Sequence, residues 1–219
     1  MENKNFHEFS PENLKIRRTE AAVTAAAELF LQYGIESVKM TDIAEKSGVG
    51  VATLYRYFGT KNQIVIEAMT YLWNEMGKLF SGVFESEIFL KQTGIKQMSD
   101  LLRMCLVLYE AHQDFLRVLG EFDLLILREN ISPEKLTEYE KSVINFYPMF
   151  ERAYRTGIAD RTVRTVPDFR QFYLAYAHAL LELGKKLVQR ELLPSDDFSN
   201  GGKELSLLIE CAVCYLRKE

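Results

Sequence analysis

Four side chains between residues 51 and 61, a stretch reading VATLYRYFGTK, carry groups suited to holding a polyanion: Tyr55, Arg56, Tyr57 and Lys61. Their chemistry is hydrogen bonding and charge rather than bond breaking. Arginine offers a planar fork of donors that matches guanine O6 and N7, whereas lysine offers a point charge to a phosphate. At about 100° per residue, Val51, Leu54 and Phe58 share one helical face. Arg56 then points directly away, Ala52 and Thr53 also face outward, and Tyr55 and Tyr57 lie on the flanks. Small outer residues would let such a helix sink into a groove with Arg56 at its centre.

A second short helical pattern precedes this one. It starts at Thr41, a good N-cap, carries Ile43 and Ala44, and breaks at 47–50 (SGVG). Two short helices joined by a glycine-bearing turn make a helix-turn-helix. Upstream, Ala22, Ala26, Leu29, Phe30 and Tyr33 recur at three and four, and Gly34 ends that helix. Ser10-Pro11 suits its start. Downstream, Thr60-Lys61-Asn62-Gln63 fits a capping box, and the new helix start with Lys61 makes a ready phosphate site.

The remaining chain is also helical in pattern: from Gln63 onward, then about 95–111, 114–128, 134–156 with a kink at Pro148, 168–192 and 203–217, with a polar loop at 194–202. No strand pattern, repeat or low-complexity tract is present. The fold class expected is all-α, with a three-helix DNA-binding domain over 10–62 and a larger helical regulatory domain over 63–219. Trp73, Met76, Phe80, Met104, Leu108, His112, Phe115, Phe122, Phe146 and Phe150 are the candidates to line a ligand cavity, which is mostly apolar with few polar groups. Each alone is more often plain core. The stripes Phe172, Tyr176, Leu180, Leu183, Leu187 and Leu205, Leu208, Ile209, Ala212, Leu216 would be a large apolar patch on a monomer, so they are expected to form a dimeric four-helix bundle.

Net charge is −4, and residues 1–62 are balanced between cations and anions. Contact with nucleic acid must therefore come from locally placed groups rather than a bulk field. Cys105, Cys211 and Cys214 lie in apolar helical patterns and read as buried small hydrophobes; no metal site or cofactor is expected. No catalytic constellation stands out, so an enzyme is not expected. The polar residues 1–9 read as a loose tail unlike a signal peptide, and no apolar run approaches a membrane span, which makes the cytoplasm the default location.

The stretch from Ala21 to Met69 resembles the N-terminal part of TetR-family transcriptional regulators. The likeness rests on Ala26-Ala27-Glu28-Leu29-Phe30, Gly34, Thr41, Ile43-Ala44, Gly48-Val49, Leu54-Tyr55, Tyr57-Phe58 and Lys61. It implies a homodimer on a pseudo-palindromic double-stranded operator, each 51–58 helix entering one major groove, with half-sites roughly 34–36 Å apart. It also implies that Thr41 touches backbone phosphate, that Ala52, Thr53 and Arg56 face the groove, that Tyr55 and Tyr57 contact the backbone, and that Lys61 binds phosphate. Gly50, Val51 and Ala52 supply no polar base contact, so recognition would lean on Arg56 and DNA shape. The expected function is a repressor released by a small apolar or aromatic effector. The alternative is a DNA binder of the same kind gated by a protein partner, or an architectural one.

Overall fold

The computed structural model describes residues 10–189, 195 and 197–219. The expected tail at 1–9 and the end of the helix expected to reach 192 lie outside the described residues. Helices make up the described chain: α1 (Pro11–Tyr33), α2 (Met40–Ser47), α3 (Val51–Phe58), α4 (Lys61–Phe84), α5 (Glu87–Leu90), α6 (Gly94–Ala111), α7 (Gln113–Arg128), a 3-10 turn (Pro133–Leu136), α8 (Thr137–Ser142), α9 (Tyr147–Ala159), α10 (Phe169–Leu187) and α11 (Gly201–Leu216). Extended pairing among the described residues is limited to an isolated antiparallel bridge, Val163 with Arg217.

The described residues fall into two compact units, one within 1–75 and 121–143, the other within 76–120 and 144–219. Helices α4 and α7 each contribute residues to both units.

In the first unit, Ser10 Oγ accepts from Asn13 N at 3.1 Å and opens α1, as Ser-Pro requires. Ala22, Ala25, Ala26 and Ala27 are buried along α1, and such small side chains bring α2 close. Phe30, Ile43, Leu54, Ile64, Met69 and Phe122 fill the centre and are fully buried. Gly34 closes α1 with φ 82°, its N–H bonded to Phe30 O at 2.9 Å.

In the second unit α6 is central, packed by α9, α10 and α11. Its first residue meets α9 glycine to glycine: a Cβ on Gly94 would lie 2.0 Å from Gly157 N, and one on Gly157 would lie 2.3 Å from Val163 Cγ2. Thr93 provides no side-chain cap for α6. Asp160 does so instead, accepting from Gly94 N at 2.7 Å, while Thr162 Oγ1 accepts from Ile95 N at 3.1 Å.

Three local expectations need correction. Helix α2 begins at Met40 with Lys39 as N-cap, because Asp42 Oδ2 accepts from Lys39 N at 2.8 Å; Thr41 lies inside the first turn. Pro148 kinks nothing: the chain breaks between Ser142 and Tyr147, and Pro148 sits in the first turn of α9, where its missing N–H is harmless. Cys211 and Cys214 face outward and are exposed, whereas burial pushes the Cys105 thiol up to about 12.

The expected dimer stripes belong mainly to the second unit's own core. Phe172, Leu180, Leu187, Leu205, Ile209, Ala212 and Leu216 are buried within the single chain, and Tyr176, Leu183 and Leu208 are half-buried. The stripe packs inward because α10 and α11 both contact α6.

Candidate nucleic-acid interface

Two glycines with positive φ shape the turn and the end of the outward helix, Gly48 at 69° and Gly59 at 73°. A Cβ at either would meet nothing within 4 Å, so backbone conformation and not space requires glycine there. Gly50, at φ −57°, has neither constraint. Its carbonyl accepts from Thr53 N and Leu54 N at 2.8 and 3.1 Å and starts α3. Leu54 and Phe58 anchor α3 inward and are buried.

The opposite face of α3 is open. Ala52, Tyr55 and Arg56 are exposed, Thr53 and Tyr57 half-buried. This is the outward set expected from helical angles. The guanidinium of Arg56 lies over the Tyr57 ring, 5.3 Å from its centroid. Desolvation alone would raise the Tyr57 pKa, but hydrogen bonds and charge from Arg56 and Arg18 outweigh it and hold the phenol below its usual value. Arg18 of α1 therefore joins α3 at this surface, a residue the sequence reading passed over. Its place four before the buried Ala22 was the available signal.

Thr41 is exposed at the start of α2, with its hydroxyl donating to Asp42 Oδ1 at 3.3 Å. At the start of α4 only half of the expected capping box forms. Thr60 Oγ1 accepts from Gln63 N at 3.2 Å, but the Gln63 carboxamide turns forward to Glu67 Oε1 at 3.4 Å, and Thr60 N bonds to Phe58 O.

Lys61 is engaged from the other side. Its Nζ donates to Ile35 O at 2.6 Å and to Glu36 O at 3.3 Å. Burial pulls its pKa below the usual lysine value; Glu36 and Asp42 oppose this, and Arg128 adds to it. Ile35 N in turn donates to Glu121 Oε2 at 2.6 Å, and Glu36 is ion-paired to Arg128. The α1–α2 loop is thus held by α4 through Lys61 and by α7 through Glu121 and Arg128.

The expected ligand residues are divided between the two units. Trp73 and Phe122 belong to the first unit and surround Tyr139: Trp73 Nε1 donates to its hydroxyl at 3.0 Å, and the Phe122 ring stands edge-on at 4.9 Å. Burial pushes Tyr139 up to about 12. In the second unit Phe80, Met104 and His112 line one cleft of about 450 Å³. Phe146 meets Phe80 edge-on at 6.0 Å, and Phe150 meets Tyr173 at 5.1 Å. Leu108 and Phe115 are buried, and Met76 is half-buried. Among the described residues no group of three or more His, Cys, Asp or Glu could hold a metal, and no helix is long and apolar enough to cross a membrane.

Residues 22–68 match the family model for bacterial regulatory proteins of the tetR family. Over 59 residues the chain is 36% identical to the HTH-type transcriptional regulator BetI of Agrobacterium fabrum, covering 27% of this chain and 29% of that protein. The match thus spans under a third of the relative's length. A transcriptional regulator from Saccharomonospora viridis, solved in complex with choline, has a similar structure: TM-score 0.69, 16% identity, 92% of this chain and 98% of that one. The regulator FadR from Bacillus subtilis, in complex with stearoyl-CoA, gives TM-score 0.61 at 18% identity, covering 90% and 98%. At those identities the two structures establish the shared fold.

Proposed function

We propose that this chain, a member of the bacterial TetR regulatory family through its residues 22–68, is a homodimeric repressor that reads DNA with α3 and is released by a small molecule. The carrying observation is the open face of α3, where Arg56, Tyr55, Tyr57 and Thr53 surround a small residue, Ala52, while Leu54 and Phe58 hold the helix from behind. Arg56 supplies the base contact, a bidentate pair to guanine. Thr41, Tyr55 and Arg18 reach the flanking phosphates. Lys61, with two of its three donors on the α1–α2 loop, contacts phosphate with the third.

One α3 helix with one strong reader discriminates weakly, so pairing two of them matters. The buried stripes of α10 and α11 leave another face for a second copy: Ala175, Ala179 and Glu182 on α10, and Leu207, Cys211, Cys214 and Tyr215 on α11, all exposed. Leu207 and Tyr215 remain 62% and 43% exposed on the single chain.

Effector binding in the second unit changes the operator affinity through the two helices that have residues in both units. Helix α4 starts at the Lys61 contact, and α7 carries Glu121 and Arg128 to the same loop. A coupling of about 1–3 kcal/mol would alter DNA affinity roughly 5- to 150-fold, provided the effector binds the two states unequally. That regulators of this fold hold choline or stearoyl-CoA supports an effector, and the apolar cleft at Phe80 and Met104 supports it against a purely protein-gated role. A DNA-bound regulator works in the cytoplasm.

The test is selection of binding sites from random duplexes by the purified chain. The proposal expects an inverted repeat whose half-sites are about one helical turn apart. Recovery of no sequence, or of an unrepeated one, would count against it.

A further inference from the structure

The cleft of about 450 Å³ in the second unit has a composition that specifies its occupant. That volume lies within the range of about 300–1,000 Å³ usual for small-molecule sites. Its floor is Phe80, Phe84, Phe89 and Met104, all buried. Its rim is apolar yet open to solvent: Leu79 is 45% exposed, Val83 54%, Ile88 81% and Val107 44%. So many exposed large side chains in one place call for an apolar partner.

Two polar groups in the same lining are open to a head group, Arg103 exposed to solvent and Gln92 half-buried. Among the described residues Arg103 has no ion-pair partner. The acid beside it on α6, Asp100, is engaged by Lys96 at 2.5 Å. Glu210 of α11 and Arg217, just past its end, share a second depression with Arg103. Gln92 Oε1 is buried without any hydrogen-bond partner, which costs about 1–3 kcal/mol until a donor arrives. The turn carrying Gln92 is fixed, since Gln97 Nε2 donates to Gln92 O at 3.0 Å and to Leu90 O at 3.4 Å. The Gln92 carboxamide itself turns about a soft terminal torsion.

We infer that this cleft binds an amphipathic carboxylate, its apolar chain on Phe80, Phe84 and Phe89, its carboxylate on Arg103, and a neighbouring hydroxyl donating to Gln92. This rests on the effector reading above and names the chemical class of the effector. For a cationic amphiphile the acidic side chain in the lining is Asp100, already ion-paired to Lys96 and beside the like charge of Arg103. His112, at the end of α6, lines the same cleft and offers a further donor to the head group.

Calorimetric titration of the full chain with 3-hydroxydecanoate, decanoate and decyltrimethylammonium, each below its micelle concentration, tests the inference. Saturable binding of both acids is expected, with the hydroxy acid tighter and the cation absent. Arg103→Gln should weaken both acids at least about tenfold, the size of one charge-assisted hydrogen bond. Gln92→Leu should erase the preference for the hydroxy acid. No saturable binding of either acid, affinity unchanged by Arg103→Gln, or tighter binding of the cation would overturn it. Operator release measured in parallel separates the two readings. Acid binding with the expected variant effects but no release leaves the site standing and sinks the effector role. Release that Arg103→Gln leaves intact keeps the role and sinks this site.

Discussion

The ammonium of Lys61 sits 2.6 Å from the carbonyl of Ile35, twenty-six positions earlier in the chain. A residue of the kind that binds phosphate is therefore also a fastener between the start of α4 and the α1–α2 loop. Lys61→Met keeps the stem and removes the charge. It should lower folding stability by about 1–2 kcal/mol, the value of hydrogen bonds from a partly exposed charged group. The salt dependence of DNA binding should also fall by about one unit if the third donor meets phosphate. Urea denaturation checks the first effect and salt titration the second; unchanged stability would contradict the fastening role.

The glycines around α3 separate conformation from space. Gly48→Ala and Gly59→Ala should each cost about 1–2 kcal/mol, since both positions have positive φ. Gly50→Ala should change stability by less than about 0.5 kcal/mol, because its φ is ordinary and its surroundings are open. Thermal melts of the three variants would show the ordering, and a Gly50 variant as damaged as the others would refute it.

Helical periodicity made most of this fold legible. The Ala22–Phe30 stripe, the inward Leu54 and Phe58 and the outward Arg56 all follow from spacing alone. What spacing does not contain is the partner. The stripe from Phe172 to Leu216 is apolar at helical intervals whichever surface covers it, and much of it is covered by α6 of the same chain. The Lys61 to Ile35 bond, the Glu121 to Ile35 bond and the Asp160 cap on Gly94 join residues distant in sequence, and no local pattern marks them. Pro148 is equally compatible with a kinked helix and a new one; the preceding break at 143–146 decides between them.

The exposed face of α11 gives a prediction about assembly. Leu207→Glu changes a residue that is 62% exposed on the single chain, so helix content should be unaffected. Sedimentation should show a dimer for the unaltered protein and a monomer for the variant at equal concentration. A variant that remains dimeric would move the interface away from this face.

Asp160 links acid to the packing of α6 on α9. Desolvation would raise its pKa, but hydrogen bonds from Thr162 and Gly94 hold it below the ordinary 3.8. A carboxyl depressed in the folded state stabilises fully above its unfolded pKa and loses that contribution as pH falls through the lower folded value. Stability should therefore drop below about pH 4, and Asp160→Asn should flatten that part of the profile. Urea midpoints collected from pH 2.5 to 6 give the comparison; identical acid limbs would contradict the assignment.

The face of α3 with Arg56 at its centre is tested most directly by one substitution. On the operator recovered by site selection, fluorescence anisotropy should show that Arg56→Ala weakens specific binding by about 1–3 kcal/mol per half-site, with a smaller loss on unrelated DNA, while the melting temperature is unchanged. Equal affinity of the variant and the unaltered protein for that operator would contradict the account.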